Sequence, residues 1–167
     1  MTQPRTPQFG AILFRASELI GRQGARVFDE IGIPVSASKI SIILTLHTHG
    51  PLTSTELSNR IGHSRQVIES RLKSSVADGF FVSQLDPEDS RKRVYDFSDD
   101  ARPIVEQVIA VMLEFEQVYE VLWQELGVDL EKSLKAMERA LSKNSLTERL
   151  CDEFPQYSNR IKANEYE

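Results

Sequence analysis

The sequence predicts a mainly α-helical fold with one small β-hairpin. Three observations support this. Apolar residues recur at three- and four-residue steps through most of the chain. Residues 80–98 break that rhythm with two strand-like runs around the turn Asp86-Pro-Glu-Asp89. Just before the hairpin, two short helical patterns meet at Gly62-His63. A helix, a tight turn, a second helix and then a hairpin is the order of a winged helix-turn-helix.

The elements follow in order. Over residues 8–31, Phe9, Ile12, Leu13, Ala16, Leu19 and Ile20 form a helical stripe that Val27, Phe28 and Ile31 resume. Gly21 and Gly24 weaken its middle, each by about 1 kcal/mol relative to alanine. Gly32-Ile-Pro34 ends it. Ser36 or Ser38 can cap a second helix reaching His49, with Ile40, Ile43, Leu44 and His47 on one side. Gly50-Pro51 stops that helix. Thr53 or Ser54 starts a third, with Glu56 placed for a capping box and Leu57 and Ile61 inward. Ser64 caps a fourth helix that runs to Asp78, where Gly79 ends it; Val67 or Ile68, with Leu72 and Val76, faces inward.

Phe80–Leu85 and Val94, Tyr95 and Phe97 supply the hairpin strands. Residues 99–126 read as a long helix, with Ile104, Val108, Met112, Phe115, Tyr119, Leu122 and Leu126 at heptad-like steps. Val105, Ile109 and Val111 widen that stripe. Leu130, Leu134, Met137 and Leu141 mark a last main helix, and Leu146, Leu150 and Phe154 an apolar tail. The organisation expected is an N-terminal dimerisation helix (1–34), a winged helix-turn-helix (35–98) and C-terminal dimerisation helices with a tail (99–167).

The charge balance bears on function. A net charge of −5 is unusual for a nucleic-acid binder, but the acid is unevenly placed. Residues 99–167 carry 8 basic and 15 acidic side chains, whereas 35–98 carry 8 and 7. Phosphate contact needs a local cationic surface, which overall charge does not preclude. No apolar run approaches the roughly 18 residues of a membrane span, and the N-terminus lacks a signal peptide's apolar centre. A cytoplasmic location without membrane contact is the expectation. A single cysteine, Cys151, leaves no intrachain disulfide.

The candidate site residues are those that suit DNA. The first turns of a recognition helix enter the major groove and need short polar or cationic side chains. Ser64, Arg65 and Gln66 fit; Arg65 suits guanine and Gln66 suits adenine, each by a bidentate contact. Arg71 and Lys73 suit phosphates. Thr53, Ser54 and Thr55 open the preceding helix, where free N–H groups and hydroxyls can hold a phosphate. Glu69 can accept from cytosine or pair with Arg65 one turn earlier, and the ion pair is the preferred reading. The plainer alternative for Arg65 and Gln66 is a solvated helix face. The hairpin tip, Arg91, Lys92 and Arg93, argues against it.

Residues 36–102 resemble the MarR family of bacterial winged-helix transcription regulators. The wing pattern of that family is Asp-x-Arg, three residues, then apolar-x-apolar-Thr leading into a helix. Here it reads Asp89-Ser-Arg91, Lys92-Arg-Val94 and Tyr95-Asp-Phe97-Ser98. Ser98 replaces the threonine and keeps a capping hydroxyl; Ala101 stands where glycine is common. Gly79-Phe-Phe81 matches the opening of the first wing strand. The flanking helices extend the resemblance over nearly the whole chain. It implies a homodimer on a palindromic operator, with Arg91 entering the minor groove and Asp89 orienting it by a salt bridge. Lys92 and Arg93 remain phosphate contacts or solvated wing.

The wide apolar arc of residues 99–126 independently calls for a partner copy; the alternative is an intramolecular helical bundle. The resemblance also implies a small phenolic or aromatic effector, with Phe14, Arg15, His47, Phe115 and Tyr119 as candidate lining and Arg15 as carboxylate holder. Core packing with a surface arginine is the plainer reading of those five. His47 and His49, two apart on a helix, point to different sides, so with His63 they make a poor metal set. No cofactor is implied. Cys151 lies near the C-terminus, away from the first helix where the family's sensing cysteine sits, so no redox role is assigned. Trp123 reads as dimer core. Two competing functions are a winged-helix interaction module that does not bind DNA, and an enzyme. The cationic tip opposes the first. No nucleophile–base set, phosphate loop or metal-ligand spacing supports the second.

Overall fold

The computed structural model describes residues 8–86, 89–158 and 160–161. It contains α1 (Phe9–Glu30), α2 (Ala37–His49), β1 (Leu52–Thr53), α3 (Ser54–Ile61), α4 (Arg65–Ala77), β2 (Phe81–Leu85), β3 (Arg93–Phe97), α5 (Arg102–Leu126), α6 (Leu130–Lys143) and α7 (Leu146–Glu153), with a 3-10 turn at Pro155–Tyr157. The fold is mainly helical with one small antiparallel sheet, as the sequence predicts. By compactness the chain divides into two units, Met1–Leu113 and Glu114–Glu167, and the division falls inside α5.

Local signals set the element ends in the first unit. Thr53 and Glu56 form a reciprocal capping box at the start of α3, and Gly62, at φ 79°, closes that helix. Ser64 caps α4 through Val67 N–H. Gly79, at φ 78°, takes the left-handed turn after α4, and Phe80 N–H returns to the Ser75 carbonyl at 2.9 Å. That turn aims the chain into β2. Gly21 and Gly24 do not interrupt α1.

The core of this unit joins Phe28 of α1, Ile42, Ile43 and Leu46 of α2, Leu57 of α3, Ile68 and Leu72 of α4, Phe81 and Phe97 of the hairpin, and Val105 and Val108 of α5. Burying each such side chain is worth about 1.5–3 kcal/mol. The Phe81 ring meets Phe80 edge-on at 5.2 Å and Phe97 at 6.0 Å, which fixes the hairpin base to the core. Lys39 spans from α2 to Asp78 at 2.7 Å and lies over the Phe80 ring at 4.7 Å.

Several expectations are corrected here. α2 buries Ile42, Ile43 and Leu46, while His47 is exposed and Leu44 only half-buried. The face is thus rotated from the Ile40–Ile43–Leu44–His47 side, because four neighbouring apolar positions leave the helix phase undefined. In α4, where the sequence left Val67 or Ile68 open, Ile68 is buried and Val67 faces out. Ser98 caps a turn through Ala101 N–H at 3.2 Å, so α5 opens at Arg102 and not at 99. A third strand, β1, joins the hairpin in the order β1-β3-β2, with Leu52 opposite Tyr95 and Thr53 opposite Val94.

The second unit holds the rest of α5, then α6, α7 and the 3-10 turn. Asp129 caps α6 through Lys132 N–H at 2.8 Å, and Ser145 with Glu148 forms a second capping box on α7. Neither α6 nor α7 has a buried residue. Phe115, Tyr119 and Trp123 line up one turn apart with ring centroids 6.1 and 5.6 Å apart; all three are half-buried. No helix among the described residues is long and apolar enough to cross a membrane.

Candidate nucleic-acid interface

One open cleft of about 600 Å³ lies where α3, α4 and the hairpin meet. Thr53, Ser54, Thr55, Glu56, Arg65, Glu69, Asp86, Arg91, Lys92, Arg93 and Tyr95 line it. Seven of these were singled out in the sequence as DNA-facing; the fold brings them together from β1, α3, α4 and the hairpin.

The hairpin supplies the most organised cation. Arg91 Nε donates to Asp89 Oδ1 at 3.0 Å and an Nη donates to Oδ2 at 3.3 Å, while Arg91 N–H donates to Oδ1 at 3.1 Å. The two charge-assisted bonds fix the guanidinium plane, yet the Arg91 side chain stays 89% exposed. The Arg91 hydrogen bonds hold the Asp89 carboxyl below its ordinary value, so it stays ionised. Lys92 Nζ also approaches Asp89, at 3.6 Å. Arg93 donates to Ser83 Oγ across the hairpin at 3.1 Å. The tip therefore presents a clamped Arg91, with Lys92 beside it and Arg93 drawn along the sheet. Pro87 and Glu88 lie outside the described residues.

Helix α4 turns Ile68, Leu72 and Ser75 inward, which leaves Arg65, Gln66, Glu69, Ser70 and Lys73 on its exposed face. Arg71 is half-buried at the edge of that face. The Arg65–Glu69 pair expected from the one-turn spacing is present at 2.7 Å. Glu69 also accepts from Ser54 Oγ at 3.2 Å, a link across 15 residues that no local pattern reveals. Arg65 is the main reason the Glu69 carboxyl sits below its ordinary value.

The start of α3 carries the expected capping box. Thr53 Oγ1 and N–H both donate to Glu56 Oε2, at 2.7 and 2.8 Å, and these bonds depress the Glu56 carboxyl. The hydroxyl protons of Thr53 and Ser54 are thus given to carboxylates in this arrangement, and a phosphate oxygen can only accept. Thr55 remains exposed. The Ser64 hydroxyl accepts from Val67 N–H at 3.4 Å, which leaves its proton free to donate. Sequence reading missed Asp86 and Tyr95 in the cleft, Ser83 as the Arg93 partner and Ser70 on the α4 face. Strand pairing places Tyr95 and Ser83, the Asp86 N–H bond to the Lys92 carbonyl places Asp86, and the exposed-face period of α4 could have found Ser70.

The five candidate effector residues divide between the units. In the first, Phe14 is 67% exposed, and Arg15 and His47 are exposed. In the second, Phe115 and Tyr119 belong to the aromatic row. His49 Nε2 lies 3.3 Å from an Arg60 Nη. Among the described residues no three His, Cys, Asp or Glu side chains cluster in a way that could hold a metal ion. Cys151 is free and half-buried.

Comparison with known structures decides the fold. Wild-type apo MarR from E. coli superimposes with a TM-score of 0.57, over 84% of this chain and 98% of that one, at 15% identity. This is the MarR fold. BpsR of Bordetella bronchiseptica shares it with a TM-score of 0.62, over 86% of this chain and 96% of that one, at 17% identity. DNA binding by BpsR is described as regulated by 6-hydroxynicotinic acid. In sequence, the transcriptional regulator AdcR of Streptococcus pneumoniae serotype 2 (strain D39 / NCTC 7466) is 35% identical over 80 residues, 46% of this chain. The chain spans about half the length of that curated relative, 55%. No protein-family model matches. In this fold α4 is the second helix of the helix-turn-helix and β2–β3 form the hairpin that follows it.

Proposed function

We propose that the chain is a DNA-binding transcriptional regulator of the MarR family, a homodimeric repressor that reads a palindromic operator. The observation that carries this reading is the joint placement of the exposed α4 face and the Asp89-clamped Arg91 on one cleft. A narrow minor groove concentrates negative potential and favours an inserted guanidinium. Arg65 and Gln66 would face the major groove while Lys73 and Lys92 neutralise phosphates. The similarity to AdcR and the shared fold support a regulator over an enzyme.

Release by a small aromatic or phenolic acid completes the proposal, supported by the BpsR likeness. Phe14, Arg15, His47, Phe115 and Tyr119 are the candidate effector residues. A thermal-shift screen of aromatic acids tests this: an effector should raise Tm and weaken DNA binding together, and a Tm rise that leaves DNA binding intact refutes release.

The DNA reading is tested by equilibrium binding to duplexes that the protein itself selects from a random-sequence library. Arg91→Ala should weaken binding by about 10-fold or more, corresponding to roughly 1–3 kcal/mol, and log K should fall linearly with log salt. Equal affinity for parent and variant would remove Arg91 from the contact.

A further inference from the structure

Glu69 is an odd residue for a surface that faces DNA. A carboxylate beside phosphates repels them, so it lowers affinity for every sequence alike. It projects from the exposed face of α4 with Arg65 one turn before and Lys73 one turn after. Its Oε1 accepts from Arg65 Nε at 2.7 Å and from Ser54 Oγ at 3.2 Å. One oxygen thereby ties the first arginine of α4 to the first residue of α3.

The atom that Glu69 engages matters. A guanidinium has five N–H donors, and guanine O6 and N7 are read by two of them. Glu69 takes the Nε–H, and no partner binds the Nη groups of Arg65 among the described residues. The Arg65 side chain is 65% exposed, so its outer edge is free while its inner edge is held. A long flexible side chain loses rotamer freedom when it binds, and prior restraint reduces that loss.

We propose that Glu69 is a positioning residue for base reading, which holds Arg65 for a bidentate contact to one guanine in each half-site and trades general DNA affinity for discrimination. This rests on the DNA-binding reading above. Ser54, by the same geometry, acts through Glu69 and not on phosphate.

The two effects have opposite signs, which separates positioning from plain structural support. Binding is measured for the parent, Glu69→Ala, Glu69→Gln, Arg65→Ala and the double variant. The probes are a duplex selected by the parent from a random library, its single-guanine substitutions and a scrambled duplex. Glu69→Ala should lose about tenfold of discrimination at one symmetric guanine, while its affinity for the scrambled duplex is equal to the parent's or higher. Glu69→Gln, which keeps an acceptor oxygen, should fall between. The double variant should discriminate no worse than Arg65→Ala alone. Equal loss on selected and scrambled duplexes, or a further loss in the double variant, overturns the positioning role. The latter would make Glu69 a direct reader of cytosine. A parent that does not distinguish selected from scrambled duplex overturns the DNA reading and this inference with it.

Discussion

The helices that build the wing-bearing unit cover one another, whereas α6 and α7 bury no residue. Ile42, Ile43, Leu57, Ile68, Leu72 and Val108 are all fully enclosed. By contrast Val118 and Val121 of α5 and Leu146 of α7 each leave more than half of their surface open. In α1 the gradient runs along one helix: Phe28 near its end is buried, and Phe9, Phe14 and Leu19 are not. The lesson is a division of labour. The cleft-bearing stretch from α2 to β3 closes its core within one chain, which fixes the shape of the cleft. The flanking helices leave apolar side chains exposed, which the proposed homodimer would cover.

The largest expected effect lies in the enclosed region. Leu72→Ala should cost about 2–5 kcal/mol in denaturant unfolding, since it leaves a cavity in the middle of a sealed core. A loss under about 1 kcal/mol would show that this core relaxes and that the contrast between regions is weaker than drawn. Next comes the uncovered region. Val121→Glu should shift a dimer toward monomer in sedimentation, by at least about tenfold in dissociation constant. An unchanged dimer would move the partner surface away from this face of α5.

A smaller effect uses a motif the two regions share. Thr53 and Ser145 each complete a capping box. Thr53→Ala should lower global stability by about 1 kcal/mol, because α3 packs into the core. Ser145→Ala should instead raise hydrogen exchange locally in α7 and leave the global midpoint nearly unmoved. Equal global losses would place α7 in the same cooperative unit as α3.

The smallest effect is in acid. Glu56 titrates below its ordinary 4.5 in the folded chain. A depressed carboxyl contributes stability above its unfolded-state value and loses it as pH falls through the lower folded-state value. Stability should therefore drop below about pH 4.5, and Glu56→Gln should flatten that part of the profile. An identical acid limb would show that the Thr53 bonds carry no weight.

The cleft was partly legible in the sequence, and the residues show why. Arg91 and Asp89 are two positions apart, Arg65 and Glu69 four, Thr53 and Glu56 three. The Asp89–Arg91 pair was anticipated from the resemblance to the family's wing pattern, whereas the Arg65–Glu69 and Thr53–Glu56 contacts close within one turn and are written in local spacing. The same is true of the caps and left-handed glycines that delimit α3 and α4. Spacing could not show that Thr53 would give its hydroxyl to Glu56 and not keep it for phosphate, because the choice of acceptor depends on how the capping box closes.

Sequence alone thus determined the order of elements and the helix-turn-helix limits, since each depends on neighbours a few residues away, and the family resemblance implied the clamped arginine of the wing. Only the tertiary structure decided the rest. The two-residue strand β1 has no period of its own and exists because β3 offers Leu52 and Thr53 an edge to pair with. Ile68 and not Val67 turns inward because packing sets the phase of α4. Ser54 reaches Glu69, and Arg93 reaches Ser83, only because chain folding brings together residues 15 and 10 positions apart.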